Sequence, residues 1–372
     1  MKITIVQGAF LPVPPVAGGA VEKIWYALGR EFARRGHQVC HISRSYPGLA
    51  ARETNAGVEY PRIPGYDTPT SLLKLKLQDL LYSRRALKVI PKSDIVVTNT
   101  FWLPVLLSES QHGKIYVHVA RYPKGQMRLY WKAARLQGVS LSTSQAICRD
   151  APGLSSLVGT VPYFISGVRN EIAAGQSNHI LYVGRIAHEK GIHLLVKSFA
   201  ALVGEGLEKW RLRIVGPWQA DQGGGGERYF RELQSLAEPV SDRVEWIGPV
   251  YDGAQLNALY REAALFVYPS LADRGETFGL APLEAMSQGC PVLVSNLGCF
   301  LDFVQPGHNG WTFDHTLPHP EIELERALKQ ILSDRAQLFA FARSALSRAR
   351  EFTLEKVADQ YLSDFEKVLS NE

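Results

Sequence analysis

The sequence is of the α/β class, and its pattern predicts two doubly wound parallel sheets in tandem. Three observations carry that expectation. Short apolar runs alternate with helix-periodic segments, as in parallel sheets covered on both faces. The alternation restarts at His179, after a polar and aperiodic stretch at 165–178, ISGVRNEIAAGQSN, which reads as a linker. The chain has 372 residues, more than one hydrophobic core usually covers.

KITIV (2–6) is the first strand, followed by a proline- and glycine-rich loop, GAFLPVPPVAGG. Val21, Ile24, Trp25, Leu28 and Phe32 then recur at helical spacing until Gly36 stops the helix. QVCHIS (38–43), DIVVTN (94–99), KIYVHV (114–119) and VSLSTS (139–144) read as further strands. In the second half HILYVGR (179–185), RLRIVG (211–216), RVEWIG (243–248), ALFVYPS (264–270) and PVLVS (291–295) are strands. Helices are expected at about 191–204 and from about Gly279. The domains are therefore 1–165 and 166–351, and 352–369 is a further helical segment by pattern. Ligands of doubly wound sheets bind outside the carboxyl ends of the strands. For two facing sheets the default site is the cleft between them.

Composition excludes several classes. The 46% hydrophobic and 21% charged shares are those of a globular protein. No run of eighteen apolar residues offers a membrane span, and MKITIVQGAF enters a strand without a signal-peptide pattern. Cys40, Cys148, Cys290 and Cys299 are scattered without a metal-ligand pair, so reduced thiols and a cytoplasmic location are expected. Residues 1–165 carry a net +12 and the remainder −7. A basic half suits an acidic substrate, a membrane surface or nucleic acid. No zinc-finger or helix-turn-helix signature supports nucleic acid.

VGRIAHEKG (183–191), IVG (214–216), WIGPV (246–250), VYPS (267–270) and ETFGLAPLEAMSQGCPVLVS (276–295) follow one another in order. Together they resemble the C-terminal domain of a retaining GT-B glycosyltransferase of the large family-4 class. GGAVEKIWYALGREFARRGHQV (18–39) is similar to that family's opening, and the likeness is weak at 44–93. The resemblance implies two Rossmann-like domains facing across a cleft, with the helix at 352–369 packing back on the first. One short linker between tandem sheets permits hinge motion, so the domains are expected to close on the donor. The resemblance also implies transfer of a sugar from a nucleotide sugar, a UDP-sugar favoured, to a saccharide, glycolipid or other hydroxyl acceptor. Configuration would be retained, with the donor's own phosphate oxygen helping to deprotonate the acceptor. No metal or other cofactor is expected, and no paired acidic metal motif stands out. The family's Pro-Asn-Gly-Val segment is replaced by YFISGV (163–168), and Pro217-Trp218 follow IVG in place of the family-typical acidic or small residue. The glycine-rich run WQADQGGGGERYF (218–230) reads as a mobile loop.

A nucleoside diphosphate leaving group needs cations. Arg185 and Lys190, framed by Gly184 and Gly191 just past a strand end, supply a fork and a mobile ammonium. Otherwise they are a solvated charge pair at a helix start. Phe278, Gly279 and Leu280 fit a helix start whose free N–H groups bind phosphate. Glu284, inside that helix, can accept two hydrogen bonds from a ribose diol. The resemblance sets Glu276 on hydroxyls of the transferred sugar and His118 near its 6-hydroxyl and the reaction centre. The blander alternatives are helix-dipole or surface glutamates and a merely hydrogen-bonded histidine. Gly18 and Gly19 let backbone amides approach the diphosphate or acceptor, and Glu22 serves the helix dipole.

Two rivals lie within the fold: a non-catalytic partner subunit and a sugar-nucleotide epimerase. A dinucleotide oxidoreductase would need G-x-G-x-x-G after the first strand, and VQGAFL lacks it. Finally, SLLKLKLQDLLYSRRALKVIPK (71–92) holds six basic residues and one acid. Leu73, Leu77, Leu80 and Leu87 share one helical face, flanked by Lys74, Arg85, Lys88 and Lys92. Either the leucines pack on the first sheet, or the helix meets an anionic membrane or a phosphate-bearing glycolipid acceptor at the inner membrane face.

Overall fold

The computed structural model describes residues 1–172 and 178–370. Of the stretch read as a linker, 173–177 lie outside the described residues. The chain divides into two compact units, Met1–Phe164 with Leu354–Glu372, and Ile165–Thr353.

The first unit runs β1 (Lys2–Val6), α1 (Ala20–Arg34), β2 (Gln38–Arg44), β3 (Arg52–Asn55), β4 (Val58–Ile63), α2 (Leu72–Leu87) and β5 (Ile95–Thr98). Two single turns, α3 (Leu103–Leu106) and α4 (Glu109–His112), lead to β6 (Lys114–Val119), β7 (Arg135–Gly138), α5 (Leu141–Asp150) and β8 (Val158–Thr160). The sheet order is β3-β4-β2-β1-β5-β6-β7-β8. Every pairing is parallel except β3 with β4. The order turns back at β1, which has β2 on one side and β5 on the other, with Val6 opposite Thr98.

The second unit runs β9 (His179–Val183), α6 (Ile192–Val203), β10 (Arg211–Val215), α7 (Gly226–Ala237), β11 (Val244–Gly248), α8 (Gly253–Glu262) and β12 (Leu265–Tyr268). It continues through α9 (Leu280–Ser287), β13 (Val292–Ser295), β14 (Gly310–Phe313), α10 (Pro320–Ser333) and α11 (Arg335–Ala349). Its wholly parallel sheet has the order β11-β10-β9-β12-β13-β14, turning back at β9. The last helix, α12 (Leu354–Ser370), belongs to the first unit. Its Tyr361 ring packs 5.0 Å from Trp25 and its Phe365 ring 4.9 Å from Tyr116. The Tyr116 hydroxyl donates to Asp364 Oδ2 at 2.8 Å.

Three expectations are corrected. VSLSTS is not a strand: Ser140 Oγ accepts the Thr143 N–H at 3.1 Å and caps α5. A cap residue outweighs a short apolar alternation, and the strand is the preceding RLQG. The run 218–230 is not a free loop. Trp218, Gln219 and Ile186 carbonyls accept the N–H groups of Gly226, Gly224 and Gly225, and α7 begins inside it.

The third concerns α2. Its buried residues are Asp79, Tyr82, Ser83 and Ala86, while of the expected leucine face Leu80 and Leu87 are half-buried and Leu73 and Leu77 are exposed. Asp79 Oδ2 accepts the Trp102 N–H at 2.9 Å, which fixes the rotation of the helix. The cysteines are free. No helix among the described residues is long and apolar enough to cross a membrane.

Candidate functional site

The point where a doubly wound sheet reverses order opens a crevice beyond the strand ends. In the second unit that point lies between β9 and β12. Gly184 directly follows β9, and Lys190 ends the short turn His188–Lys190 before α6. Ser270 and Glu276 follow β12. Lys190 Nζ meets Glu276 Oε2 at 2.6 Å, and both side chains are largely shielded from solvent. Ser270 Oγ donates to the same carboxylate oxygen at 3.1 Å. The ammonium also stands 5.5 Å over the Tyr268 ring, which stacks on Tyr182. Burial, then the Glu276 charge, pushes both phenols well above the usual tyrosine range, so they stay protonated.

Arg185 is held apart from that pair. Its Nη1 donates to the Gly223 carbonyl at 2.5 Å, and its Nη2 pairs with Glu189 at 3.2 Å, half-exposed. Its backbone carbonyl accepts the Tyr182 hydroxyl at 2.9 Å, which ties it to the ring stacked on Tyr268 beneath Lys190. The site therefore holds one buried, internally compensated cation and one accessible guanidinium.

Gly279, at φ 86°, caps the start of α9. A side chain there would overlap the Phe300 ring, so glycine is required on both counts. Leu280 opens the helix, where first-turn N–H groups lack intrahelical acceptors. Phe278 stands just before Gly279, outside the helix. Its ring is buried against Phe303 and Phe352, so only its backbone can reach a ligand. Glu284 Oε2 accepts the Tyr260 hydroxyl at 3.2 Å.

The remaining expected residues lie in the first unit. Gly18 and Gly19 end the loop before α1, and Gly19 (φ 94°) leaves room that the Glu22 carboxylate fills. Glu22 is buried, and that burial raises its pKa against the opposing effect of its own backbone N–H and of Arg121. His118 is 3% exposed. Gln137 Nε2 donates to the Gly138 and Val161 carbonyls, which turns Gln137 Oε1 toward His118 Nδ1 at 2.6 Å. Nδ1 is thereby the protonated nitrogen, and Nε2 accepts from the Tyr163 hydroxyl at 3.4 Å. Burial lowers the His118 pKa to about 4, so the ring is neutral.

Sequence reasoning missed Ser270, Tyr260, Gln137 and Tyr163, whose partners are set by tertiary contact. It also missed Gln7 and Asn99. These follow β1 and β5 one step past the Val6–Thr98 register, and each keeps a buried side-chain oxygen without a hydrogen-bond partner among the described residues. Among the described residues no group of three or more His, Cys, Asp or Glu is arranged to hold a metal ion. A cavity of about 680 Å³ in the first unit, touching Lys114, Trp131 and Arg135, opens at the starts of β6 and β7, the wrong strand ends for this chemistry.

Residues 168–348 match the family described as glycosyl transferases group 1. Over its length the chain is 25% identical to spore coat protein SA of Bacillus subtilis (strain 168), covering 99% of this chain and 100% of that protein. Seven further curated relatives are 28–32% identical over 47–52% of this chain and only 22–47% of their own lengths. Sucrose-phosphate synthase from Thermosynechococcus elongatus superposes with a TM-score of 0.78 at 19% identity, over 100% of both chains. Anabaena HepE in complex with UDP and glucose gives 0.70 at 16% identity, over 98% of this chain and 99% of that one. Residues 168–348 are thus similar to the glycosyl transferases group 1 family, and the two Rossmann-like units have the fold of GT-B glycosyltransferases.

Proposed function

We propose that this protein transfers a hexose from a nucleotide sugar, a UDP-sugar favoured, to a hydroxyl of a saccharide or glycolipid, with retention of anomeric configuration. The observation that carries it is the shielded Lys190–Glu276–Ser270 arrangement beyond β9 and β12, inside the family match. A structural relative solved with UDP and glucose supports the donor class.

In this reading Arg185 and Lys190 neutralise the diphosphate, with backbone N–H groups at Gly279 and Leu280 adding donors. Gly184 leaves the strand end open to the donor. Glu276 accepts hydrogen bonds from the transferred sugar and Glu284 from the ribose. His118, neutral, exchanges its weak Tyr163 contact for a sugar hydroxyl. Gly18 and Gly19 bring backbone amides to the diphosphate or acceptor. The bond from C1 to the leaving phosphate oxygen breaks as the acceptor oxygen bonds to C1 on the same face. The acceptor proton passes to the departing diphosphate. Catalysis is positioning and leaving-group stabilisation, without a metal.

Thermal-shift screening against UDP-, GDP-, ADP- and dTDP-sugars selects the donor, since a native-state ligand raises apparent stability. Transfer to a hydroxyl acceptor, followed by NMR of the new anomeric centre, tests the rest. An inverted product rejects the retaining mechanism, and stabilisation by none of the four donors rejects the donor class.

A further inference from the structure

The face that α2 turns to solvent is apolar where a surface helix should be polar. Leu73, Leu77 and Leu81 succeed one another a turn apart, and Leu73 and Leu77 are 83% and 58% exposed. Leu72, beside them, is 76% exposed. Large exposed apolar side chains grouped on one element mark an interaction surface rather than ordinary surface scatter. Arg84 and Lys88 continue the ridge toward the helix C-terminus, and Lys74 lies alongside it, all three exposed.

The charge is one-sided. The one carboxylate of the helix, Asp79, is on the buried face and bound to the Trp102 N–H. Arg85 is turned inward, donating to the Pro64 carbonyl at 2.8 Å with its guanidinium over Tyr66. The exposed face thus combines leucines with cations and no acid. Apolar side chains flanked by lysine and arginine fit the boundary between acyl chains and anionic headgroups.

We propose that the exposed face of α2 docks this protein on an anionic phospholipid bilayer. Leu72, Leu73 and Leu77 enter the headgroup–acyl boundary, while Lys74, Arg84 and Lys88 lie against lipid phosphates. The proposal does not rest on glycosyl transfer. Its readout is vesicle binding, so either reading can fail alone.

The full chain is sedimented with phosphatidylcholine vesicles, and with vesicles also containing phosphatidylglycerol, at low and high salt. Binding is expected only to the anionic vesicles, and it weakens as salt screens the headgroups. Lys74→Gln/Arg84→Gln/Lys88→Gln is expected to weaken it by roughly two orders of magnitude. Leu73→Gln/Leu77→Gln is expected to weaken it by at least about tenfold. Both variants change exposed side chains, and an unchanged melting temperature confirms that they fold. Lys209→Gln/Arg231→Gln/Arg326→Gln, exposed in the second unit, should leave binding intact. Absent binding to anionic vesicles, binding unchanged in either α2 variant, or equal loss in the second-unit variant overturns the proposal. So does a concentration-dependent dimer that Leu73→Gln/Leu77→Gln abolishes in place of vesicle binding, which would give the face to a second copy of the chain.

Discussion

Lys190 and Glu276 stand 86 residues apart in the chain and meet at 2.6 Å, with Ser270 sharing the carboxylate oxygen. In the free protein each therefore compensates the other's charge. An arriving diphosphate competes with Glu276 for the ammonium, and a sugar hydroxyl can take its place on the carboxylate. One pair thus couples the two halves of the proposed donor. Glu276→Gln should lower kcat by about a hundredfold or more while leaving Kd for UDP within about threefold. Lys190 then loses a competitor rather than a ligand. A parallel loss of UDP affinity would show that Glu276 shapes the nucleotide site itself.

Removing the cation is a different perturbation. Lys190→Met leaves a shielded carboxylate without its partner, and breaking such pairs destabilises by about 3–5 kcal/mol. A melting temperature well below wild type is expected, and Lys190→Met/Glu276→Gln should recover part of it. If the double variant melts no higher than Lys190→Met, the pair is not the source of the loss.

Arg185 is half-exposed, and its ion pair with Glu189 lies at the surface, where such pairs contribute little. Arg185→Ala should therefore leave stability unchanged. Loss of a charge-assisted bond of about 1.5–3 kcal/mol should weaken UDP binding at least tenfold. Isothermal titration measures it, and wild-type affinity would remove Arg185 from the diphosphate site.

The strands that carry these residues are legible because doubly covered parallel strands are continuous apolar runs, as in LYV before Gly184 and LFVY before Ser270. Arg185, Lys190 and Glu276 stand at their ends, where position alone suggests a ligand. The Lys190–Glu276 pairing is not legible, since each residue reads by itself as a separate ligand. The orientation of α2 is not legible either. Its leucines make the more apolar face, yet one hydrogen bond from Trp102 to Asp79 and the buried Tyr82 ring turn that side inward and leave Leu73 and Leu77 exposed. Ser140 misled because a serine between apolar residues suits a strand as well as a helix cap.

Metal independence is testable directly. The proposed chemistry draws its positive charge from Arg185, Lys190 and the start of α9. Turnover should be unchanged after dialysis against EDTA. Activity lost on chelation and restored by magnesium would require a cation in the mechanism.

His118 supplies a prediction with a definite sign. The ring is buried, its pKa is lowered to about 4, and in the unfolded chain it titrates near the ordinary 6.5. The native state keeps it neutral, so below pH 6.5 the unfolded state binds the extra proton. Stability from this group is complete above pH 6.5 and is lost as the pH falls toward 4, by roughly 3 kcal/mol over the window. His41, lowered to about 3 by burial and Arg62, acts in the same direction. Asp79, raised to about 6 by burial, acts oppositely, its strain relieved as the pH falls through 6 toward 4. Both groups remain in His118→Gln and cancel in the comparison. The variant should lose packing at every pH, yet its fall in melting temperature between pH 7.5 and 4.5 should be smaller than that of wild type. An equal fall would mean that His118 is already protonated or exposed in the native state. The neutral ring also constrains catalysis: a hydrogen-bonding imidazole that never titrates between pH 6 and 8 leaves no limb of its own in the kcat profile. An acidic limb near pH 6.5 that vanishes in His118→Gln would instead make it a proton-transfer group.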